Sequence, residues 1–471
     1  LEPPDNALAV SDSYILEAVN TALVVRNKSG IVLAGPTALN QFFGLAPEFD
    51  RVTGLSGDFT ADPKVYFDPD TQRWFVTLLQ LDVDPVSGNF LPESHVEIAV
   101  SMSSNPAGSW HRFRLNVTND GTDGTPSHPR CPCFGDQPLI GADANGFYIS
   151  TNEFPIFQSG FNGAQVYAMS KQSLISGTLP PVVHFDNLPL AEGPAYSLQP
   201  ATTPPGGSHA ANVEYFLSAL DFTGTLDNRI AAWALTNTSS LNTAAPQLTL
   251  TSVVVGSQVY GQPPDAEQKP GPTPLADFLR AGGLGKPVVE HLPLIAGNDD
   301  RMQQAVYAGG KLWSALNTVV KTENGPTRIG IAYFVVAPSW SGSTFSALLV
   351  RGGYVSVNRN SVLFPAIGVN AQGKGAMTFT LVGEDYFPSA AYVLIDAVNG
   401  AGPVRLAASG FAPADGFTGY VTFGGRTSRW GDYSTAAVDS SGDIWMTTEY
   451  IPNAPRTLLA NWGSFISRVT P

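Results

Sequence analysis

The stretch SRWGDYSTAAVDSSGDIWMTTEY, Ser428–Tyr450, decides the fold. It sets a carboxylate, Asp432, between Gly431 and Tyr433, then a short apolar run, a polar turn at 439–443, and a returning run that ends on Glu449. Two short apolar runs about a turn rich in Asp, Ser and Gly make a β-hairpin signature.

The same grammar recurs upstream. PPDNALAVSDSYILEAVN places Asp5 seven residues before Asp12, as Asp432 lies seven before Asp439, and FGDQPLIGADANGFYISTNEF places Asp136 seven before Asp143. ADPKVYFDPDTQRWFVTLLQ has Asp62 six before Asp68. Three looser copies follow. NDDRMQQAVYAGGKLWSALNT carries Asp300 and a Gly309-Gly310 turn, FPAIGVNAQGKGAMTFTLVG has Pro365 where the acid would be, and GSHAANVEYFLSALD keeps only its second run. The seven turns fall near residues 12, 69, 144, 208, 309, 371 and 440.

Most hairpins are followed by two more strand-like runs, such as ALVVRN and IVLAG after the first, or RIGIAYFVVAP and FSALLVRGG after the fifth. Four strands per unit and seven units predict an all-β chain, one seven-bladed β-propeller over 1–471 with mostly four-stranded antiparallel blades. After the last hairpin only FISRV reads as a strand, so that blade has three strands or borrows its fourth from the N-terminal segment. The Pro-rich stretch at about 256–299, with LADFLRAGG as its helix-like piece, reads as an ordered insertion.

Composition agrees. Gly (47) and Pro (38) outnumber the acids and bases, which favours short strands and tight turns over helices. A formal net charge of −14 argues against nucleic acid as a partner, because phosphate binding needs a basic surface. No apolar run is long enough to span a bilayer. LEPPDNALAV has no basic region leading into an apolar stretch, so a secretion signal is expected to have been removed or never to have been there. Scarce lysine and uncharged turns favour an exported protein, and a monomer is expected. The sequons at Asn27, Asn116 and Asn237 are near chance number and decide little.

The first strands of a propeller converge on one mouth. There Asp5, Asp62, Asp136, Asp300 and Asp432, with Arg301 and Arg429 nearby in sequence, would form a metal or polar-ligand site. Calcium suits such a set, since it takes six to eight oxygen ligands. The competing reading is that each Asp bonds backbone amides at its own sheet junction. Glu153 and Glu449 close the second strands of their hairpins, where they join the site or pair with a neighbour. Asp62, Asp136 and Asp432 are also candidate catalytic carboxylates for glycoside hydrolysis or polysaccharide lysis.

HPRCPCFGDQP brings His128, Cys131 and Cys133 together. Two thiolates and an imidazole would suit copper or zinc, but the local sequence lacks a fourth ligand. A Cys131–Cys133 disulfide is the favoured reading, with a redox role open to it. No nucleophile elbow, zinc-protease helix or phosphate loop is present. Trp74, Trp313 and Trp445 hold equivalent places in second strands, as packing residues would.

The Ser428–Tyr450 segment, with PPDNALAVSDSYILEAVN and DPKVYFDPDTQRWF, resembles a group of secreted bacterial β-propeller proteins that is broadly similar to sialidase-like propellers. SSGDIW resembles an incomplete Asp-box turn. The resemblance implies export and a propeller. For the three arginines that grip the carboxylate in sialidases it offers Arg301, Arg426 and Arg429 by composition only, and their catalytic Tyr and Glu have no counterpart that can be assigned. The expectations are therefore a secreted protein binding a glycan or another polar cell-surface component, an enzyme on the same scaffold, or a copper or redox protein.

Overall fold

The structure, a computed structural model, describes residues 2–220, 226–282, 290–321 and 325–471. Strands dominate, and they group into antiparallel meanders taken in chain order. The first sheet is Ala7–Val10, Tyr14–Val19, Ala22–Asn27 and Val32–Ala38; the second is Phe59–Asp68, Arg73–Val83, Phe90–Ser101 and Trp110–Asn116. The third is Cys133–Ala142, Gly146–Pro155, Gly163–Ser170 and Val183–Phe185; the fourth is Gln199–Thr202, Val213–Ala219, Asp227–Thr236 and Thr249–Tyr260. The fifth is Ala305–Ala308, Lys311–Lys321, Thr327–Ser341 and Thr344–Val355. In the sixth, Asn360–Val369, Lys374–Gly383 and Ser389–Asp396 are followed by Gly400–Ala401 and Arg405–Ala408, both paired to Ser389–Asp396. The seventh, Thr435–Val438, Ile444–Tyr450 and Gly463–Val469, has three strands among the described residues, and the N-terminal segment adds none.

The hairpin turns are made by side chains that accept backbone amides and so replace the bonds the turn cannot make itself. Asp143 Oδ1 accepts from Asn145 and Gly146, Asp439 Oδ1 from Ser441 and Asp443, and Asn370 Oδ1 from Gln372 and Lys374. In the first sheet Ser11, one residue before the expected Asp12, does this work for Ser13 and Tyr14.

Successive residues of a strand point to opposite faces, and here both faces are apolar. Trp74 faces Leu16 and Val25 of the first sheet, whereas Phe75 faces Phe147 of the third, the two rings stacking at 4.7 Å between centroids. Tyr148 in turn packs on Phe216 and Trp233 of the fourth sheet, and Leu217 on Phe334 of the fifth. Trp313 and Val335 meet Ile367 and Met377 of the sixth, whose Ala366 and Ala376 meet Ile444 and Met446 of the seventh. Trp445 of the seventh packs on Leu8 and Ile15 of the first. Each large side chain so buried contributes about 1.5–3 kcal/mol, and every sheet has a core on both faces. A cavity of about 110 Å³ is lined by Leu8, Val65, Ile140, Pro200, Val306, Gly368 and Ala436, one from the first strand of each sheet. Where neighbouring first strands pair, at Ala142 with Thr202 and at Ala201 with Ala305, they run parallel.

Asparagines clip consecutive sheets together. Asn20, just past the second strand of the first sheet, accepts the Asp62 amide and donates to Asp5 and to the Pro3 carbonyl. Asn152 accepts the Ser197 amide and donates to Ser197 Oγ. Asn317 accepts the Phe364 amide and donates to the Gly297 carbonyl.

The excursion after the fourth sheet starts later than expected, because Thr249–Tyr260 is continuous strand. It contains the helix Pro274–Arg280, where LADFLRAGG suggested one, and residues 283–289 of the stretch lie outside the described set. Leu275 and Leu279 pack on Tyr420, while Ala266 and Ile295 pack with Trp430 and Phe364. No helix among the described residues is long and apolar enough to cross a membrane.

Replacing a clip tests this arrangement. Asn317→Ala leaves the buried Phe364 amide and Gly297 carbonyl without partners, so a loss of about 1–3 kcal/mol is expected, read as a lower urea midpoint.

Candidate functional site

In six of the sheets a non-glycine residue in or ahead of the first strand takes the left-handed conformation, Asp5, Ser197 and Asn298 ahead of it and Asp62, Gln137 and Phe364 within it, with φ between 44° and 57°. Such a conformation costs about 1–3 kcal/mol at each position and persists only where surroundings hold it. The clips supply part of that hold through the amides of Asp62, Ser197 and Phe364. The Gln137 amide is held differently, by Asp62 Oδ2 of the preceding sheet at 3.2 Å. Gln137, rather than the adjacent Asp136, is thus the counterpart of Asp5 and Asp62, which corrects the register inferred from spacing.

The RWGDYS segment is a set of fastenings. The Trp430 indole donates to Thr380 Oγ1 of the sixth sheet, the Gly431 amide to Glu449 Oε2, and the Asp432 amide to Asp5 Oδ1 of the first. Tyr433 OH donates to the Pro63 carbonyl of the second sheet, and Ser434 Oγ to Thr448 Oγ1. A Cβ on Gly431 would come within 3.3 Å of the Glu449 carboxylate.

Around these fastenings lies a cavity of about 490 Å³. Asp5, Asp62, Asp136 and Asp432 line it together with Asn298, Arg301 and Arg429, and Phe59, Phe90 and Phe134 are its aromatic lining residues. Arg301 is fixed by Asp299 through two bonds, of 2.7 and 2.8 Å, by Gln137 Oε1 at 2.6 Å, and by the Tyr196 ring. Arg429 pairs with Asp432 at 2.6 Å.

Electrostatics set the protonation of this wall. Burial, then the charges of Asp136 and Asp432, lift the Asp62 carboxyl to about 7. Asp136 is lifted to about 6, mainly by burial and against the pull of Arg301. Burial followed by Asp432 and Asp62 raises Asp5 well above the usual carboxylate range. Lys64, whose ammonium lies over the Tyr433 ring, is brought down to about 7 by burial despite Asp5, Asp62 and Asp432.

The other expected residues lie elsewhere. Asp300 is fully buried and lines no part of this cavity; Asn298 holds the place expected of it, and Asp299 anchors Arg301. Glu449 sits behind the wall on the Gly431 amide, raised well above the usual range by burial and then by Glu2. Arg426 is not among the lining residues, so the three arginines do not assemble there. Glu153 belongs to another cluster, where it accepts from His128 Nδ1 at 2.8 Å and from Asn162 at 2.9 Å. Cys131 and Cys133 beside it are joined as a disulfide, so in this form neither is the thiolate that a copper or zinc site needs.

The mouth does not fit calcium as it stands. Asp5 already accepts from Asn20 and the Asp432 amide, and Asp432 from Asn298 and Arg429. Among the described residues the three-ligand cluster converging within 4.8 Å is Cys131, Cys133 and Glu153, not the aspartates. Sequence reading overlooked Asn20, Asn152 and Asn317, although EAVN, ISTN and SALN display them in the later part of, or just past, the second strands. It also overlooked Lys64, Gln137 and Asn298, which carry no local signal.

No protein-family model matches the chain, and no curated protein does. Among solved structures, a Hadza microbial sialidase, Hz136, aligns at 10% identity and a TM-score of 0.36 over 99% of this chain and 75% of its own. An α-L-arabinanase of Penicillium chrysogenum aligns at 11% and 0.31 over 87% and 93%, and an apocarotenoid oxygenase of Synechocystis at 10% and 0.36 over 87% and 72%. Likenesses this distant, to proteins named for unrelated chemistries, assign no activity.

The Asp62 carboxyl gives a pH test. Because its folded-state value is raised from 3.8 to about 7, the stability it contributes as the acid is complete below about pH 4 and is lost as pH rises through 7. Asp62→Asn should therefore melt above the wild type at pH 8, by roughly 2 °C or more, and the gap should close by pH 4.

Proposed function

We propose that the chain is an exported, monomeric seven-bladed β-propeller whose acidic mouth binds a polyhydroxylated ligand of the carbohydrate class. The seven successive cores, the return of the seventh sheet onto the first, and the cavity shared by all seven first strands support the propeller. The disulfide favours an oxidising compartment.

The observation that carries the ligand reading is the mixed lining of the mouth, charged groups together with aromatic rings. Its volume of about 490 Å³ is that of a small-molecule site. The carboxylates and arginines lining it can accept from and donate to hydroxyls, and Phe59, Phe90 and Phe134, which line it too, can cover the apolar face of a sugar ring. The acidic balance of the wall favours neutral or amino sugars over anionic ones.

A second reading, a glycoside hydrolase, is favoured by one feature. Asp136 and Asp62 are held up to about 6 and 7, so one can keep a proton to give to a leaving oxygen while the other ionises.

Calorimetry against a panel of neutral and amino oligosaccharides, with arabinobiose and a sialylated trisaccharide included, separates the readings. Binding without release of reducing ends, weakened about tenfold, or 1.4 kcal/mol, in Asp136→Asn, supports the binding module. Release that falls at least 100-fold in Asp136→Asn supports the hydrolase. Absence of binding by the folded protein across the panel removes both, and added calcium should change neither affinity nor melting.

A further inference from the structure

Away from the mouth, the loop before the third sheet and that sheet's second strand bring together a different set of donors. Cys131 Sγ, Cys133 Sγ and one Glu153 oxygen lie within 4.8 Å of one another. Glu153 and Cys133 are buried, and Cys131 is partly open to solvent. The Glu153 carboxylate is oriented from several sides: His128 Nδ1 donates to it at 2.8 Å, Asn119 Nδ2 donates to its other oxygen, and His128 is itself held on Asp186 at 3.1 Å. One further group is aimed at all three atoms. Asn162 Nδ2 stands 2.9 Å from Glu153 Oε1, 3.4 Å from Cys133 Sγ and 3.6 Å from Cys131 Sγ, so the positive end of a dipole lies where the three ligands point.

We propose that this is a redox-gated site for a thiophilic divalent cation of the zinc type. In the oxidised chain the sulfurs bond each other and cannot ligate. A dithiol reductant breaks the Cys131–Cys133 bond, is itself oxidised to a disulfide, and leaves two thiols here. Both thiols lose their protons as the cation binds. The cation displaces the Asn162 amide and takes two thiolates and the Glu153 carboxylate, with water in the fourth position. His128 and Asn119 then act as the outer groups that orient the ligating carboxylate. Glu153 thus takes the place that the sequence offered to His128, and His128 becomes a supporter of Glu153.

Cobalt(II) is the probe, because thiolate ligation gives an intense near-ultraviolet charge-transfer band. The full chain reduced with tris(2-carboxyethyl)phosphine, its fold followed by circular dichroism, is expected to take up one Co²⁺ with that band, and the oxidised chain to show none. Glu153→Gln should weaken binding, and His128→Gln should weaken it by about 10-fold to 100-fold. Asn162→Ala should bind at least as tightly as the wild type. Lack of uptake by reduced protein that keeps its fold overturns the proposal, as does uptake that survives Cys131→Ser combined with Cys133→Ser. If reduction unfolds the chain, Co²⁺ would be held by loose thiols alone and Glu153→Gln and His128→Gln would cost nothing, which also overturns it.

Discussion

A sheet whose two faces are both apolar must be covered on both, and this constraint governs the molecule. Trp74 and Phe75, or Phe147 and Tyr148, are neighbours in sequence that point into different cores. Each meander therefore needs a partner on either side. The first and last sheets cover each other where Trp445 packs against Leu8 and Ile15. Polar fastenings then fix the geometry that hydrophobic burial, being non-directional, leaves loose. The Asp432 amide on Asp5, Lys28 on Asp439 and Thr418 on Glu2 all join parts of the chain more than 400 residues apart.

The mouth is a consequence of this fastening. Asp5 and Asp62 are drawn inward because they satisfy the amides of Asp432 and Gln137, and in accepting those bonds they bring their charges close together. Two readings that stood as rivals on the sequence, backbone anchoring and ligand binding, thus concern the same atoms. Anchoring explains why the acids are where they are, and their lifted ionisation is its electrostatic result. Asp136 lines the same cavity, with its carboxyl lifted mainly by burial.

The Cys131–Cys133 loop shows how a local motif can be incomplete. His128, Cys131 and Cys133 sit close in sequence and suggested a metal set among themselves. The converging third ligand is Glu153, from a strand that follows a turn later, and it reaches the sulfurs only because the Cys133–Ala142 and Gly146–Pro155 strands pair with Glu153 opposite Gly135. The histidine stands one bond further out.

Much of the fold was legible without coordinates. The repeated hairpins, the Asp143 and Asp439 turns, the buried tryptophans, the Cys-X-Cys pairing and the helix near residue 275 were all readable, because each is set by residues a few positions apart. Spacing placed Asp5 and Asp62 but misplaced three others: Gln137 replaces Asp136 in the left-handed position, Ser11 replaces Asp12 in the turn, and Asn298 replaces Asp300 at the mouth. At Gln137 the reason is a slip of register between the Cys133–Ala142 and Gly146–Pro155 strands, at Ser150 to Asn152, which residue counting along the sequence does not see. The sequence by itself determined the sheets and their turns, whose interactions are local. The company each carboxylate keeps was decided only when the sheets packed, since burial and the charges of residues hundreds of positions away, not the residue's own neighbours, set what an aspartate can do.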